Sequence, residues 1–162
     1  MEPEVDVVEA DLARSDHARD VVAMTAAYAL DPFGNSGPLP EDVLDRLVPA
    51  LRATPTALVF LAYRGGEVVG IATCFLGFST FAARPLVNVH DFSVLPNHRG
   101  LGVGRALLAA VERAARARGC VKMTLEVLEK NARARRIYAE YGFSSGPALP
   151  AAGGALFYTK AL

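Results

Sequence analysis

Between Asn97 and Leu108 the chain reads NHRGLGVGRALL, with glycines at alternate positions 100, 102 and 104 set directly before a run of Ala and Leu. Glycine lowers helix stability by about 1 kcal/mol relative to alanine, so glycines at the mouth of a helix answer some other need. The stretch before them, PLVNVHDFSVLP, has strand composition. Residues 103–118 carry Val103, Leu107, Val111 and Ala114 on one helical stripe. Gly119 is placed to end that helix, and VKMTLEVL (121–128) reads as the next strand. A strand, a glycine-rich turn, an amphipathic helix and a further strand commit this half of the chain to a sheet with helices packed on it.

The remaining segments fit the same layered design. EVDVVEA alternates and suits a first strand. SDHARDVVAMTAAYAL is predicted helical, with Ser15 or Asp16 as N-cap and Val21, Met24, Ala27 and Tyr28 recurring at helical spacing. DPFGNSGPLP is a loop by its Pro and Gly density. Pro40, at the first helical position, opens EDVLDRLVPALRA, in which Pro49 is a site for a kink or an end. TALVFLAYRGGEVVGIATCFLGF reads as two strands around a tight turn at Arg64-Gly65-Gly66. Asn131 can cap a helix through Tyr141 that Gly142 terminates, and GFSSGPAL and GALFYTKAL read as two last strands. The expectation is one α+β domain over residues 1–162, a mixed sheet of about seven strands flanked by four helices.

Composition narrows the function classes. The formal net charge of the 162-residue chain is zero, so attraction of the whole molecule to nucleic acid is not indicated. The zero hides an asymmetry: residues 1–50 hold eleven acids and three bases, and residues 99–136 hold ten bases and three acids. Two solvated helix faces would produce this, and so would an anionic ligand held by the second half. Cys74 and Cys120 are too few for a disulfide scaffold and form no metal or redox motif. No apolar run approaches membrane-spanning length, and MEPEVDVVEAD lacks the basic and apolar regions of a signal peptide. A cytoplasmic protein is expected.

Phosphate chemistry gives three readings of RGLGVGRA. A phosphate loop of the NTP-binding kind needs Lys-Ser/Thr after its last glycine, whereas Gly104 is followed by Arg105 and Ala106. A dinucleotide fingerprint needs its third glycine one place later, and the acid expected about 20 residues on falls near Lys122. The third reading uses only backbone chemistry. The first N–H groups of a helix have no internal acceptor and carry partial positive charge. Without Cβ atoms at Gly100, Gly102 and Gly104, those groups can approach a phosphate or pyrophosphate closely, with Arg99 and Arg105 adding charge. A tight strand-to-helix turn alone would also use such glycines.

A second constellation follows 27 residues after Gly104, in NARARRIYAEYGF. Asn131, Ala134 and Tyr138 are spaced i, i+3 and i+7 and share one helix face. An amide, a small residue and a phenol on one face suit a groove wall.

Together, Arg99-x-x-Gly102-x-Gly104 preceded by HDFSVLP, and Asn131-x-x-Ala134-x-x-x-Tyr138-x-x-x-Gly142-Phe143, resemble the signatures of the GNAT superfamily of N-acetyltransferases. The resemblance implies acetyl-CoA as acyl donor and a GNAT-like fold. It implies that the pyrophosphate rests on the backbone of Arg99, Gly100, Leu101, Gly102, Val103, Gly104 and Arg105. The pantetheine arm would run along Phe92, Ser93 and Val94, with Asn131 touching the cofactor and Tyr138 near the thioester sulfur. Catalysis would then be direct attack by a neutral amine. The Val94 N–H would polarise the carbonyl, and the Tyr138 phenol would protonate the leaving thiolate. Glu126 matches the base of some bacterial protein N-terminal acetyltransferases of the superfamily. Asp91, with His90, stands where other members place a direct or water-relayed base. No metal is implied.

The resemblance also assigns the acceptor to residues 15–53 and to FLGFSTFAARPL. The acidic first helices favour a cationic amine, either a small molecule or a peptide terminus. Phe75, Phe78 and Phe81 recur every third residue and suit core or dimer burial, or a pocket lining. A homodimer is the assembly the resemblance suggests, without nucleic acid or membrane partners. A catalytically silent acyl-CoA-binding regulatory module would keep the same cleft.

Overall fold

The computed structural model describes residues 4–145 and 159–161. Its elements run β1 (Val5–Glu9), α1 (Ser15–Ala29), α2 (Glu41–Arg52), β2 (Ala57–Arg64), β3 (Glu67–Ser79), β4 (Arg84–Val94), α3 (Val103–Ala117), β5 (Met123–Leu125) and α4 (Ala132–Tyr141), with a single 3-10 turn over Pro96–His98. The strands form one mixed sheet in the order β1-β2-β3-β4-β5. The first three pairings are antiparallel and β4–β5 is parallel. A parallel pair needs a crossover, and α3 supplies it.

Each face of the sheet carries its own core. On one, Leu58, Phe60, Ala62, Ala72, Cys74, Val87 and Val89 meet Val103, Leu107, Ala110, Val111 and Ala115 of α3. On the other, Val59, Leu61 and Ile71 meet Val21 and Met24 of α1 and Val48 and Leu51 of α2. Alternation along β2 places even residues on the α3 face and odd residues on the α1–α2 face. The stripe predicted for α3 is the buried one: Val103, Leu107 and Val111 are at most 1% exposed. Each such side chain contributes about 1.5–3 kcal/mol of transfer free energy.

Local chemistry sets the ends of the elements. Gly65 and Gly66 both have positive φ (61° and 83°) and close the β2–β3 hairpin in two residues. Helix α3 stops where Gly119 N–H donates to Arg116 O and Cys120 N–H to Ala115 O, the paired bonds of a Schellman motif. In α1 the N-cap is Arg14, one residue before Ser15, and no side chain caps it. The Asp16 carboxylate is taken by the Arg14 guanidinium instead, at 2.7 Å. Pro40 is the N-cap of α2 rather than its first residue, and α2 continues past Pro49 to Arg52.

Among the described residues the sheet has five strands, not about seven. Of the two last strands expected, residues 146–158 and 162 lie outside the described residues, and 142–145 and 159–161 are not in a strand. The strand expected over 121–128 is only Met123–Leu125, because its pairing with β4 stops at Val89–Leu125. Nor do the three phenylalanines share one burial. Phe75 is half-buried against His90, whereas Phe78 is 63% exposed and Phe81 fully exposed. The β3–β4 hairpin carries both of the latter beyond the body of the sheet, where no core can cover them.

Candidate active site

The site begins with one extra residue in β4. Thr73 of β3 pairs with Asp91 and Cys74 with Val89, so His90 is a β-bulge. Val87 and Val89 face the α3 core, and so do Phe92 and Val94. Two residues, not one, therefore lie between consecutive core-facing positions, and both His90 and Asp91 turn to the α1 face. The edge-to-face contact of His90 with Phe75, at 5.4 Å between centroids, fits that orientation. The bulge also marks where β5 leaves: its last partner on β4 is Val89. Among the described residues the outer edge of β4 is unpaired from His90 to Val94. Leu95 N–H donates inward to Val69 O at 2.9 Å. By the alternation of an extended strand, the N–H and C=O groups of Val94 and Phe92 point outward.

The N-terminus of α3 lies beside this open edge. Ala106 N–H donates to Gly102 O at 3.0 Å, the first bond of the helix. Among the described residues, the N–H groups from Gly100 to Arg105 have no backbone acceptor. Gly100 and Gly102 hold φ of 76° and 81°, a left-handed geometry that side chains resist. Successive N–H groups in such a turn form a concavity suited to an anion. Gly104 is different. It lies within the helix, and a Cβ there would meet the Phe92 ring at an ordinary 3.5 Å. Among the described residues no steric clash and no backbone geometry requires glycine at 104.

Helix α4 forms the far wall. The Asn131 side chain caps it by accepting from Ala134 N–H at 3.1 Å, which leaves the amide NH2 free to donate elsewhere. At the other end Phe143 N–H donates to Tyr138 O, and the Phe143 ring packs on Tyr138 with centroids 5.9 Å apart. Tyr138 is 8% exposed. Its ring meets Phe92 edge to face at 5.7 Å. Among the described residues its hydroxyl makes no hydrogen bond, yet it is not sealed from solvent. Burial, and then the neighbouring Tyr28, raise its pKa well above that of a free phenol, so it stays protonated.

Asp91 faces this phenol's neighbourhood from the other side. Its carboxylate has no hydrogen-bond or ion-pair partner among the described residues, and burial raises its pKa against a smaller opposing effect of His90. Tyr28, near the end of α1, feels burial first and the charges of Asp91 and Asp31 next; all three raise its pKa. Asp91, Tyr28 and Tyr138 are thus grouped where β4 opens. In the sequence Tyr28 reads only as part of a core stripe, although its place beside the loop that follows α1 hints at a role for its polar end.

Other candidates fall elsewhere. Glu126 stands exposed one residue beyond β5 and has no hydrogen bond or ion pair among the described residues. Arg105 is exposed on the first turn of α3. The Arg99 side chain is engaged within the protein: its Nε donates to Val94 O at 2.9 Å and its Nη2 to Asp31 at 2.8 Å. Three acids of the first helices, Asp16, Asp20 and Asp42, are similarly occupied. Asp16 pairs with Arg14 and Asp42 with Arg46, both at 2.7 Å, and Asp20 accepts from the Tyr63 hydroxyl at 2.8 Å. Their charge is directed at neighbours. Among the described residues no cluster of His, Cys, Asp and Glu is arranged to hold a metal ion, and no helix is long and apolar enough to cross a membrane.

Residues 22–143 match the acetyltransferase (GNAT) family. The chain is 33% identical over 79 residues to a thialysine N-epsilon-acetyltransferase of Bos taurus, an alignment covering 49% of this chain and 46% of the relative. It is 35% identical over 83 residues to an aminoalkylphosphonate N-acetyltransferase of Salmonella typhimurium, covering 51% and 54%. The chain spans about half the length of the curated relatives it matches. In architecture it is similar to AAC(6')-Iy, solved with the bisubstrate analogue CoA-S-monomethyl-acetylneamine. The TM-score is 0.76 at 19% identity, over 98% of this chain and 99% of that one.

Proposed function

The chain belongs to the acetyltransferase (GNAT) family, and from that premise we propose that it moves an acetyl group from acetyl-CoA to the nitrogen of a small amine. The observation that carries this reading is the run of N–H groups from Gly100 to Arg105 that find no acceptor among the described residues, beside the edge of β4 and the Tyr138 wall. That combination suits a pyrophosphate followed by an extended amide-bearing arm. The gap at Gly104 over Phe92 adds room for it.

In this reading the outward backbone of Phe92 and Val94 aligns the arm, and Ser93 between them keeps the strand in register with Ile71 of β3. The free amide NH2 of Asn131 donates to the donor molecule. Acetyl-CoA supplies an activated thioester. Asp91, without a partner among the described residues and made more basic by burial, accepts a proton from the incoming ammonium group. The neutral nitrogen forms the new C–N bond as the C–S bond breaks, and its remaining surplus proton, like the one held by Asp91, passes to solvent. Val94 N–H donates to the carbonyl oxygen as it gains charge, and a preorganised donor in a dry site stabilises that charge more than water does. The Tyr138 hydroxyl gives its proton to the departing sulfur and recovers one from solvent. Tyr138 stays neutral above physiological pH, as this role requires. The names of the relatives, a thialysine and an aminoalkylphosphonate acetyltransferase, support an amine on a small molecule as acceptor.

The test is thiol release. Purified protein is given acetyl-CoA and a panel of amines, amino acids, amino sugars and peptides, and free CoA is measured alongside acetylated product. Equal amounts of both are expected for at least one acceptor. Tight binding of acetyl-CoA with no thiol above background across the panel would reject catalysis and leave a CoA-binding regulatory module. Asp91→Asn and Glu126→Gln, compared under the same conditions, separate the two carboxylates. Loss is expected in the first and near-normal turnover in the second.

A further inference from the structure

We propose that Arg99 is a positioning residue that ties the acceptor wall to the acyl-transfer strand, and that its side chain is not a phosphate ligand. This rests on the acetyltransferase reading given above. One guanidinium, 68 residues from Asp31 in sequence, joins Val94 and Asp31 across two parts of the cleft. Nε donates to the carbonyl of Val94, the last residue of β4, at 2.9 Å, and Nη2 donates to Asp31 Oδ2 at 2.8 Å. The two side chains are only 24% and 15% exposed, so the pair is sheltered from the solvent screening that makes surface pairs weak.

Each end of this strut sits on something functional. At Val94 it closes the bonding of one peptide plane: Leu95 N–H donates to Val69 O at 2.9 Å while Val94 C=O accepts from Arg99. A peptide held at both ends fixes the orientation of the residue whose own N–H faces the open edge.

At Asp31 it grips the hub of the turn after α1. Asp31 Oδ1 accepts from Phe33 N–H at 2.8 Å. Asp31 O accepts from Gly34 N–H and Ser36 N–H, and Asp31 N–H donates to Tyr28 O. The Tyr28 hydroxyl completes the turn by donating to Phe33 O at 3.4 Å. Tyr28 is the aromatic group that shares its surroundings with Asp91 and Tyr138. Arg99 therefore sets the position of the Tyr28 wall relative to the Val94 N–H. In proximity catalysis, a displacement of about 1 Å between reactants costs about a hundredfold in rate.

The groups facing Asp31 are Arg99, the Phe33 N–H and, from α4, Arg133. Together they outweigh its burial and hold its carboxyl below the usual range. Arg99 thus has a fixed anionic partner within the protein, and its cationic end is turned to the acceptor side.

A double-mutant cycle tests this, with Arg99→Gln and Asp31→Asn singly and combined. Four quantities are measured: acceptor KM, kcat, direct binding of CoA by calorimetry, and hydrogen exchange of the Phe33–Gly37 amides. Each single variant is expected to raise acceptor KM and lower kcat, about tenfold or more in kcat/KM. CoA affinity should stay within about twofold, and the double variant should be no worse than either single one. The swap Arg99→Asp with Asp31→Arg should recover part of the loss. If Arg99→Gln weakens CoA tenfold while Asp31→Asn changes nothing, Arg99 is a phosphate ligand and the proposal is overturned. Additive losses overturn it equally. If no amine is acetylated even by the wild-type chain, the acetyltransferase reading fails by itself. The strut is then judged by the exchange cycle: non-additive loosening of Phe33–Gly37 supports it, and additive or absent loosening rejects it.

Discussion

The rings of Phe92 on β4 and Tyr138 on α4 meet edge to face, with centroids 5.7 Å apart and planes at 62°. This contact joins the strand that would carry the donor to the helix that would protonate its leaving group. Because the ring is clamped by Phe92 on one side and Phe143 on the other, the hydroxyl can be removed without moving the wall.

Tyr138→Phe should therefore separate chemistry from binding. The aromatic contacts remain, so the unfolding midpoint and the CoA dissociation constant should change little. Loss of a general acid typically costs about 10²–10⁴ in rate, and kcat for thiol release should fall within that range. Unchanged turnover would remove the phenol from the mechanism.

Gly104→Ala should make the protein more stable and a poorer binder. The backbone at 104 is helical and the new methyl meets Phe92 at 3.5 Å, an ordinary contact. Alanine for glycine in a helix is worth up to about 1 kcal/mol, which for a chain of this size raises the midpoint by roughly 2–4 °C. In the proposed binding mode the same methyl narrows the gap between α3 and Phe92 that the donor would use, and CoA affinity should fall about tenfold. Gly102→Ala, at φ of 81°, should instead lose stability. Differential scanning calorimetry and calorimetric titration on the two variants give both readouts.

Asp91→Asn should raise stability at neutral pH while abolishing most activity. The folded-state pKa of Asp91 lies above its unfolded value. Between those two values the native state binds more protons, so this group makes stability fall as pH rises. Above the folded pKa its full cost is present, and below the unfolded pKa there is none. The asparagine variant should thus gain in melting temperature at pH 7 and show no gain at strongly acid pH. In the wild-type chain kcat/KM should rise with pH through the Asp91 titration.

Asn131 can be divided by function. Asn131→Asp keeps an oxygen to cap α4 through Ala134 N–H and suits the helix dipole, so the fold should hold. It replaces an N–H donor by negative charge at a position proposed to meet CoA, so CoA binding should weaken. Asn131→Ala loses the cap as well, at about 1 kcal/mol. Melting curves and binding measured together distinguish the two effects.

Much of the architecture was legible because its signals are local. The stripe of α3, the caps at Gly119, Asn131 and Gly142, and the Gly65-Gly66 hairpin each depend on residues a few positions apart, and each stands where the sequence predicts it. The Arg99–Asp31 pair was not legible, since no local pattern links residues 68 positions apart. The start of α1 moved because Arg14 engages the carboxylate that would have capped it. The extent of β5 is not legible in its own residues because it is set by its partner: pairing ends where β4 bulges. That bulge did leave a trace. Apolar residues at 87, 89, 92 and 94 break the alternation by one place at His90 and Asp91.

The bulge gives this strand an arithmetic of its own. Most positions in a sheet tolerate a change of residue according to size and polarity. At His90 the chain adds a residue without adding a place in the ladder. Deleting it would restore plain alternation, with Val89 toward α3, Asp91 toward α1 and Phe92 toward α3, and Asp91 still opposite Thr73. The two faces would survive and the local bend and extra twist would not. The same deletion at a regularly paired position of β4 would exchange the faces beyond it, so the step from Val89 to Phe92 is the one place in this strand where a change of length is absorbed as shape.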